Sequence, residues 1–236
     1  MTRPLTALAA LIALTTALPA HAGNAFEVAG ASRFVGGMEQ AEARARAAYG
    51  PFRVLDESTV ALVDVTDRAS PAQFAALLRA FPNVRVLRFH DCPGTEDDVA
   101  NLQLGRMIRA AHLAVEVPDG GSVRSGAVEL VLAGERLAIA DGAEFAVHGW
   151  IDEDGLGAQD YPADSPEHQR YLAYYRDMGM AAGQAQAFYA MTNSVPFEAA
   201  RWLTGTEMRG WVQGAEAAAP QAEPMLAYLD LALVVH

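Results

Sequence analysis

Between residues 60 and 148, short apolar runs alternate with helix-like stretches, and this alternation restricts the fold more than any other feature of the chain. Val60-Ala61-Leu62-Val63-Asp64-Val65 reads as a buried strand. Ser70-Pro71 opens a helix, with Ser as N-cap and Pro in the first turn, and the helix stops near Ala80, before Pro82. Val84 to Phe89 is a second strand and Leu113 to Val117 a third. Between them, Thr95-Glu96-Asp97-Asp98 reads as a capping signature. The helix it starts runs to about Ala111, with Val99, Leu102, Ile108 and Ala111 on one face. Arg136–Ala140 and Glu144–His148 are two further strands around Asp141-Gly142, a hairpin signal. Strands that alternate with helices predict an α/β layered domain.

Beyond His148 the character changes. Residues 149–167 form an acidic loop containing Gly and Pro. Residues 168–191 are helix-like and rich in Tyr, Phe and Met, a composition that suits core or subunit contact. Thr204-Gly205-Thr206-Glu207 is a second capping box, and Leu231 to Val235 reads as a closing strand. Residues 23–58 are mixed, with a polar helix-like patch at Glu39–Ala48.

At the other end, Arg3 precedes an apolar run from Leu5 to Ala20, and Ala20-His21-Ala22 has the form of a processing site. Residues 1–22 therefore read as a secretory signal peptide and residues 23–236 as one mature domain, periplasmic or secreted. The run is short for a bilayer span and Pro19 interrupts it, so no stable membrane anchor is expected. The chain has 17 basic residues against 29 acidic, and every basic residue is Arg. A net charge of −12 disfavours nucleic acid and anionic membrane surfaces as partners. The absence of Lys excludes Schiff-base chemistry and a Ser–Lys pair. Cys92 is the only cysteine, so the chain has no internal disulfide.

The chemistry-bearing residues fall at the joints of the pattern. Ser125 opens the apolar run Gly126 to Gly134, where helix N–H groups would favour negative charge on its oxygen; its plainer role is an N-cap. His148 closes the strand-like run from Glu144, as a base or as a half-buried strand-end residue. Ser122 is the fallback nucleophile. Cys92, with His90 two residues away on the same strand face, is the thiol alternative. His90, Asp91 and Cys92 lack a second ligand cluster, and Asp152, Asp154 and Asp160 lack an EF-hand pattern. No metal and no cofactor is expected.

The segment from Val84 to His148 resembles the Clp protease proteolytic subunit and the wider crotonase-like fold, most closely an exported branch of that group. Phe89-His90-Asp91-Cys92-Pro93-Gly94-Thr95 resembles the family strand that ends in a Ser-Pro-Gly-Gly turn. Ser125 to Gly134 resembles the segment where the catalytic serine begins a helix, and Ala140 to His148 the segment leading to the catalytic histidine. Arg201 to Met208 is similar to the family's C-terminal capped helix. The resemblance implies a Clp-protease/crotonase-like layered α/β fold with C-terminal helices. It further implies peptidase-like acyl transfer from a peptide or small ester substrate, and a homo-oligomer. It assigns Ser125 as nucleophile, His148 as base, and the N–H groups of Gly126 and of Gly94 or Thr95 as oxyanion donors. The departures are Thr95 in place of a second turn glycine, no cysteine beside Ser125, and no aspartate at the family's triad position, which falls near Pro196. Glu198, with Asn193 as the other polar neighbour, is the candidate third member. A catalytically idle descendant that binds a peptide or protein partner in the same groove is the alternative reading.

Overall fold

The computed structural model describes Ala41 and residues 44–213. The expected signal peptide and the closing strand at Leu231 to Val235 lie outside the described residues. Of the patch expected to be helical at Glu39–Ala48, Ala41 and Arg44 are helical and the chain has become strand by Ala47.

The described residues form a mixed α/β fold with two sheets. The first has the strand order β1-β2-β3-β4-β6-β8, with β1 (Ala47–Tyr49), β2 (Phe52–Val54), β3 (Thr59–Leu62), β4 (Val86–Phe89), β6 (Ala114–Val117) and β8 (Arg136–Ile139). The β1–β2 and β2–β3 pairings are antiparallel and the rest parallel. The second has the order β10-β9-β7-β5, with β5 (Asp91–Cys92), β7 (Ser122–Arg124), β9 (Glu144–Val147) and β10 (Arg201–Thr204). There β5, β7 and β9 run parallel and β10 is antiparallel to β9. Each of three successive passes leaves one strand in each sheet: β4 then β5, β6 then β7, β8 then β9.

This alternation overturns the hairpin expected at Asp141-Gly142. β8 pairs with β6 and β9 with β7, in different sheets. Burial decides the outcome. Three of the four β9 residues are buried, whereas Arg136 and Ala138 of β8 are exposed. A strand as apolar as β9 gains most with a neighbour on each side, and it has β7 and β10. The turn itself is held by Gly142 N–H, which donates to Asp119 Oδ1 at 2.9 Å, not by a partner strand.

Beyond Tyr49, six α-helices among the described residues accompany the sheets: α1 (Ser70–Ala80), α2 (Asp98–Ala110), α3 (Ala127–Leu132), α4 (Pro166–Asp177), α5 (Ala182–Thr192) and α6 (Gly205–Gln213). α1 has the expected extent, but its N-cap is Ala69; the Ser70 hydroxyl instead closes a turn with Asp67. α2 is capped by Asp97, whose carboxylate accepts from Ala100 N–H at 2.9 Å. The expected face of α2 is shifted: Val99 is 65% exposed, and Ala100, Asn101, Leu102, Leu104, Gly105 and Ile108 are buried. At Gly105 a Cβ would lie 2.0 Å from the Tyr174 hydroxyl, so glycine lets α4 approach α2. The Thr204–Glu207 capping box is present in both directions. The residues leading into it, 201–204, form β10, a strand that the sequence does not announce. Among the described residues no helix is long and apolar enough to cross a membrane.

Candidate active site

β7 ends at Arg124 and α3 begins at Ala127, so Ser125 and Gly126 must turn the chain within two residues. Ser125 does this at φ 49°, the left-handed region. Among the described residues His112 is the only other non-glycine residue with positive φ. Such a conformation costs about 1–3 kcal/mol and persists only where its surroundings enforce it. Here Ser125 N–H donates to Ala146 O of β9 at 2.8 Å, and Ser125 O accepts from Val128 N–H at 3.0 Å. A strained strand-to-helix turn pushes the serine hydroxyl out of the backbone and toward a ligand. Gly126, not Ser125, is the helix N-cap, so Ser125 is not spent on capping. Among the described residues its hydroxyl makes no hydrogen bond.

The turn after β5 lies against this one. Gly94 has φ 139°, and a Cβ there would sit 2.9 Å from Ser125 Cβ. Both the conformation and the close approach require glycine. Thr95, in place of the second turn glycine, has no positive φ and so fits without strain. Its backbone forms a parallel bridge with Thr66, in which Thr66 N–H donates to Gly94 O at 3.0 Å and Glu96 N–H to Thr66 O at 2.8 Å. That pattern turns Thr95 N–H away from Thr66. Among the described residues neither Thr95 N–H nor Gly126 N–H is used in a hydrogen bond. Buried Asn101 ties the two turns together: its side chain accepts from the Thr66 hydroxyl at 2.9 Å and donates to Gly126 O at 2.5 Å.

His148 follows the last residue of β9. Its Nδ1 lies 2.9 Å from Gly149 O. A carbonyl only accepts, so Nδ1 carries the proton and Nε2 the lone pair, the tautomer a general base requires. The Phe197 ring meets the imidazole edge-on at 4.8 Å between centroids. Ser125, Gly126, Thr95 and His148 all line one pocket of about 790 Å³. The two residues singled out from opposite ends of the motif therefore face the same space.

Glu198 is not brought to this pocket; it is exposed, and it is absent from the lining. Asn193 does line the pocket, with its amide donating to Tyr189 O at 2.9 Å. Asp98, expected only as part of a capping signature, and Glu129, given no site role from the sequence, also line it. Burial raises the Asp98 pKa, opposed by the Tyr171 hydroxyl donating to it at 2.6 Å; His148 also pulls it down. Glu129 is 8% exposed, and burial pushes its pKa up to about 7, against the hydrogen bond from the Tyr175 hydroxyl at 2.9 Å. A charged residue inside the apolar run that follows Ser125 was the available signal for Glu129.

The alternatives fall elsewhere. Cys92 is buried, its thiol donates to Leu62 O at 3.1 Å, and burial holds it protonated. Ser122 Oγ accepts from Arg124 at 2.6 Å, and Arg124 is also paired with Asp91 at 2.8 Å. Asp152 and Asp160 accept hydrogen bonds from N–H groups of their own loop. Among the described residues no group of three His, Cys, Asp or Glu is placed to hold a metal.

No family model matches this chain, and no curated protein matches it. Solved structures resemble it in arrangement. A mutant of the 1510-N membrane-bound stomatin-specific protease in complex with a substrate peptide is 17% identical, with a TM-score of 0.42 over 67% of this chain and 74% of that one. A second mutant of the same protease is 18% identical, with a TM-score of 0.44 over 66% and 74%. A ClpP1 mutant from Listeria monocytogenes is 15% identical, with a TM-score of 0.44 over 66% and 88%. These are likenesses of arrangement, and the assignment of the site rests on its own geometry.

Proposed function

We propose that this chain is an exported serine hydrolase that transfers an acyl group from a peptide or ester to water. The observation that carries the reading is Ser125, held in a left-handed turn on the wall of the pocket that His148 also lines. In this mechanism Ser125 Oγ attacks the substrate carbonyl carbon while its proton passes to His148 Nε2. The carbonyl oxygen becomes an oxyanion between the N–H groups of Thr95 and Gly126, with Gly94 supplying the room for the turn. The proton then goes to the leaving nitrogen or oxygen, and the acyl–serine bond is cleaved by water through the same steps in reverse. Gly149 O orients the imidazole in place of the family's aspartate. Asp98, on the same pocket wall, supplies negative charge when the imidazolium forms.

A fluorophosphonate probe tests the chemistry. The folded protein should be labelled, Ser125→Ala should abolish labelling, and His148→Ala should slow it about a hundredfold or more. A carbonyl partner on Nδ1 favours the second reading, a peptide-binding descendant without turnover. Failure of the folded wild-type protein to label, together with retained peptide binding, would establish that reading. Export is part of the proposal, and N-terminal sequencing of recovered protein should begin at Gly23; a start at Met1 refutes it.

A further inference from the structure

The pocket is more specific than an acyl-transfer site needs to be. Trp150, Tyr171, Tyr175 and Tyr189 line it together with Glu129 and Asp98. The Tyr171 and Trp150 rings are stacked at 6.1 Å, and the Tyr189 hydroxyl accepts from Trp150 Nε1 at 2.7 Å. That hydroxyl also meets His168 Nδ1 at 2.7 Å, so the aromatic wall is fixed from behind. Glu129 stands one helical turn after Ser125, and its Oε1 is held by the Tyr175 hydroxyl. Its own backbone N–H also favours the ionised carboxyl.

A buried carboxyl is costly unless a charge or hydrogen bond offsets its desolvation. No arginine does so here. Of the two arginines on the pocket lining, Arg68 is held at the surface by Asp97 at 3.2 Å and Arg170 acts on Asp98, and neither is among the influences on the Glu129 pKa. The one charged neighbour that acts on it is Asp98, which raises it further. A carboxylate enclosed by aromatic rings is the chemical complement of an ammonium or guanidinium group, which gains both an ion pair and attraction to the ring faces.

We propose that Glu129, walled by Tyr171 and Tyr175, selects substrates that present a cationic side chain, of the lysine or arginine type, next to the scissile carbonyl. Resting on the serine-hydrolase reading, this names the substrate class of the same site. The occupant would offset the part of the Glu129 burial cost that the Tyr175 hydrogen bond leaves uncompensated. It would also place the acyl carbon beside the serine at the head of the same turn of chain.

Peptidyl diphenyl phosphonates with lysine, arginine, leucine or glutamate side chains next to phosphorus test this at pH 8. Each inactivates by forming an Oγ–P bond to Ser125 and releasing phenol. The cationic probes should react about tenfold or more faster than the leucine probe, with the glutamate probe slowest. The lysine and arginine arms separate ammonium from guanidinium preference. In Glu129→Gln, which retains an acceptor for Tyr175, the cationic-to-leucine ratio should fall below about threefold. Tyr175→Phe keeps the ring and should retain a cationic preference. A leucine probe that reacts as fast as the cationic ones, or a ratio unchanged in Glu129→Gln, overturns the inference while leaving the hydrolase reading intact. Failure of every phosphonate and of the uncharged fluorophosphonate would instead remove both.

Discussion

Replacing Ser125 by glycine and, separately, by alanine isolates the backbone strain at this residue from its proposed chemistry. At φ 49° the serine occupies a region that costs a non-glycine residue about 1–2 kcal/mol. Alanine keeps the Cβ and therefore the strain, while glycine adopts this conformation freely. At an ordinary position glycine is the less stable of the two by about 0.5–1 kcal/mol, because it loses more freedom on folding. The two terms oppose each other here and strain is the larger, so Ser125→Gly should be more stable than Ser125→Ala by about 0.5–1 kcal/mol. For a domain of this size that is roughly 1–4 °C in Tm. Urea unfolding at pH 7 measures the difference as a shift in midpoint at unchanged slope. Neither variant should take a fluorophosphonate. An alanine variant at least as stable as the glycine variant would refute the argument, since Ser125 would then not be held in a left-handed turn. The strain would have no role in presenting its hydroxyl.

Glu129 gives a pH dependence with a definite sign. Its folded pKa of about 7 lies above its ordinary 4.5, a gap of about 3 kcal/mol. The folded state therefore binds the extra proton, and the stability this confers is present below about pH 4.5 and lost as pH rises through about 7. Tyr175 and Asp98 face this carboxyl, and Tyr171 and Tyr174 feel its charge; Asp98, also raised, acts in the same direction. Glu129→Gln should flatten unfolding free energy between pH 5 and 8, measured by urea titration, and an unchanged difference would contradict the burial argument. Cys92→Ser should lower stability by about 1–2 kcal/mol, since a hydroxyl replaces a thiol in an apolar core, yet leave fluorophosphonate labelling within twofold. Loss of labelling with the fold intact, seen by circular dichroism, would make the thiol part of the site.

Signals confined to a few neighbouring residues were legible in the chain. Pro71 in the first turn and Pro82 after the stop bracket α1, although Ser70 is not its N-cap, and the Thr204–Glu207 box caps α6, because those effects act within one helical turn. The apolar runs between residues 60 and 148 contain strands, and the layered α/β class followed from their alternation with helices. Ser125 and His148 were visible as residues placed at the joints of that pattern. Which sheet each strand joins was not legible. Asp141-Gly142 looks the same whether it closes a hairpin or carries the chain from one sheet to the other, and only the burial demanded by Phe145, Ala146 and Val147 decides between them. A partner for His148 was sought among side chains near Pro196, whereas its Nδ1 meets the carbonyl of Gly149, which has no residue-type signature. The left-handed turn at Ser125 arises from the space between β7, β9 and the Gly94 turn, all distant in sequence or separated by other elements. Asp98 and Glu129 read as helix acids until α4 brings Tyr171 and Tyr175 against them. Local chemistry sets where elements begin and end, but desolvation and backbone strain depend on what the rest of the chain packs around a residue, and that was decided only in three dimensions.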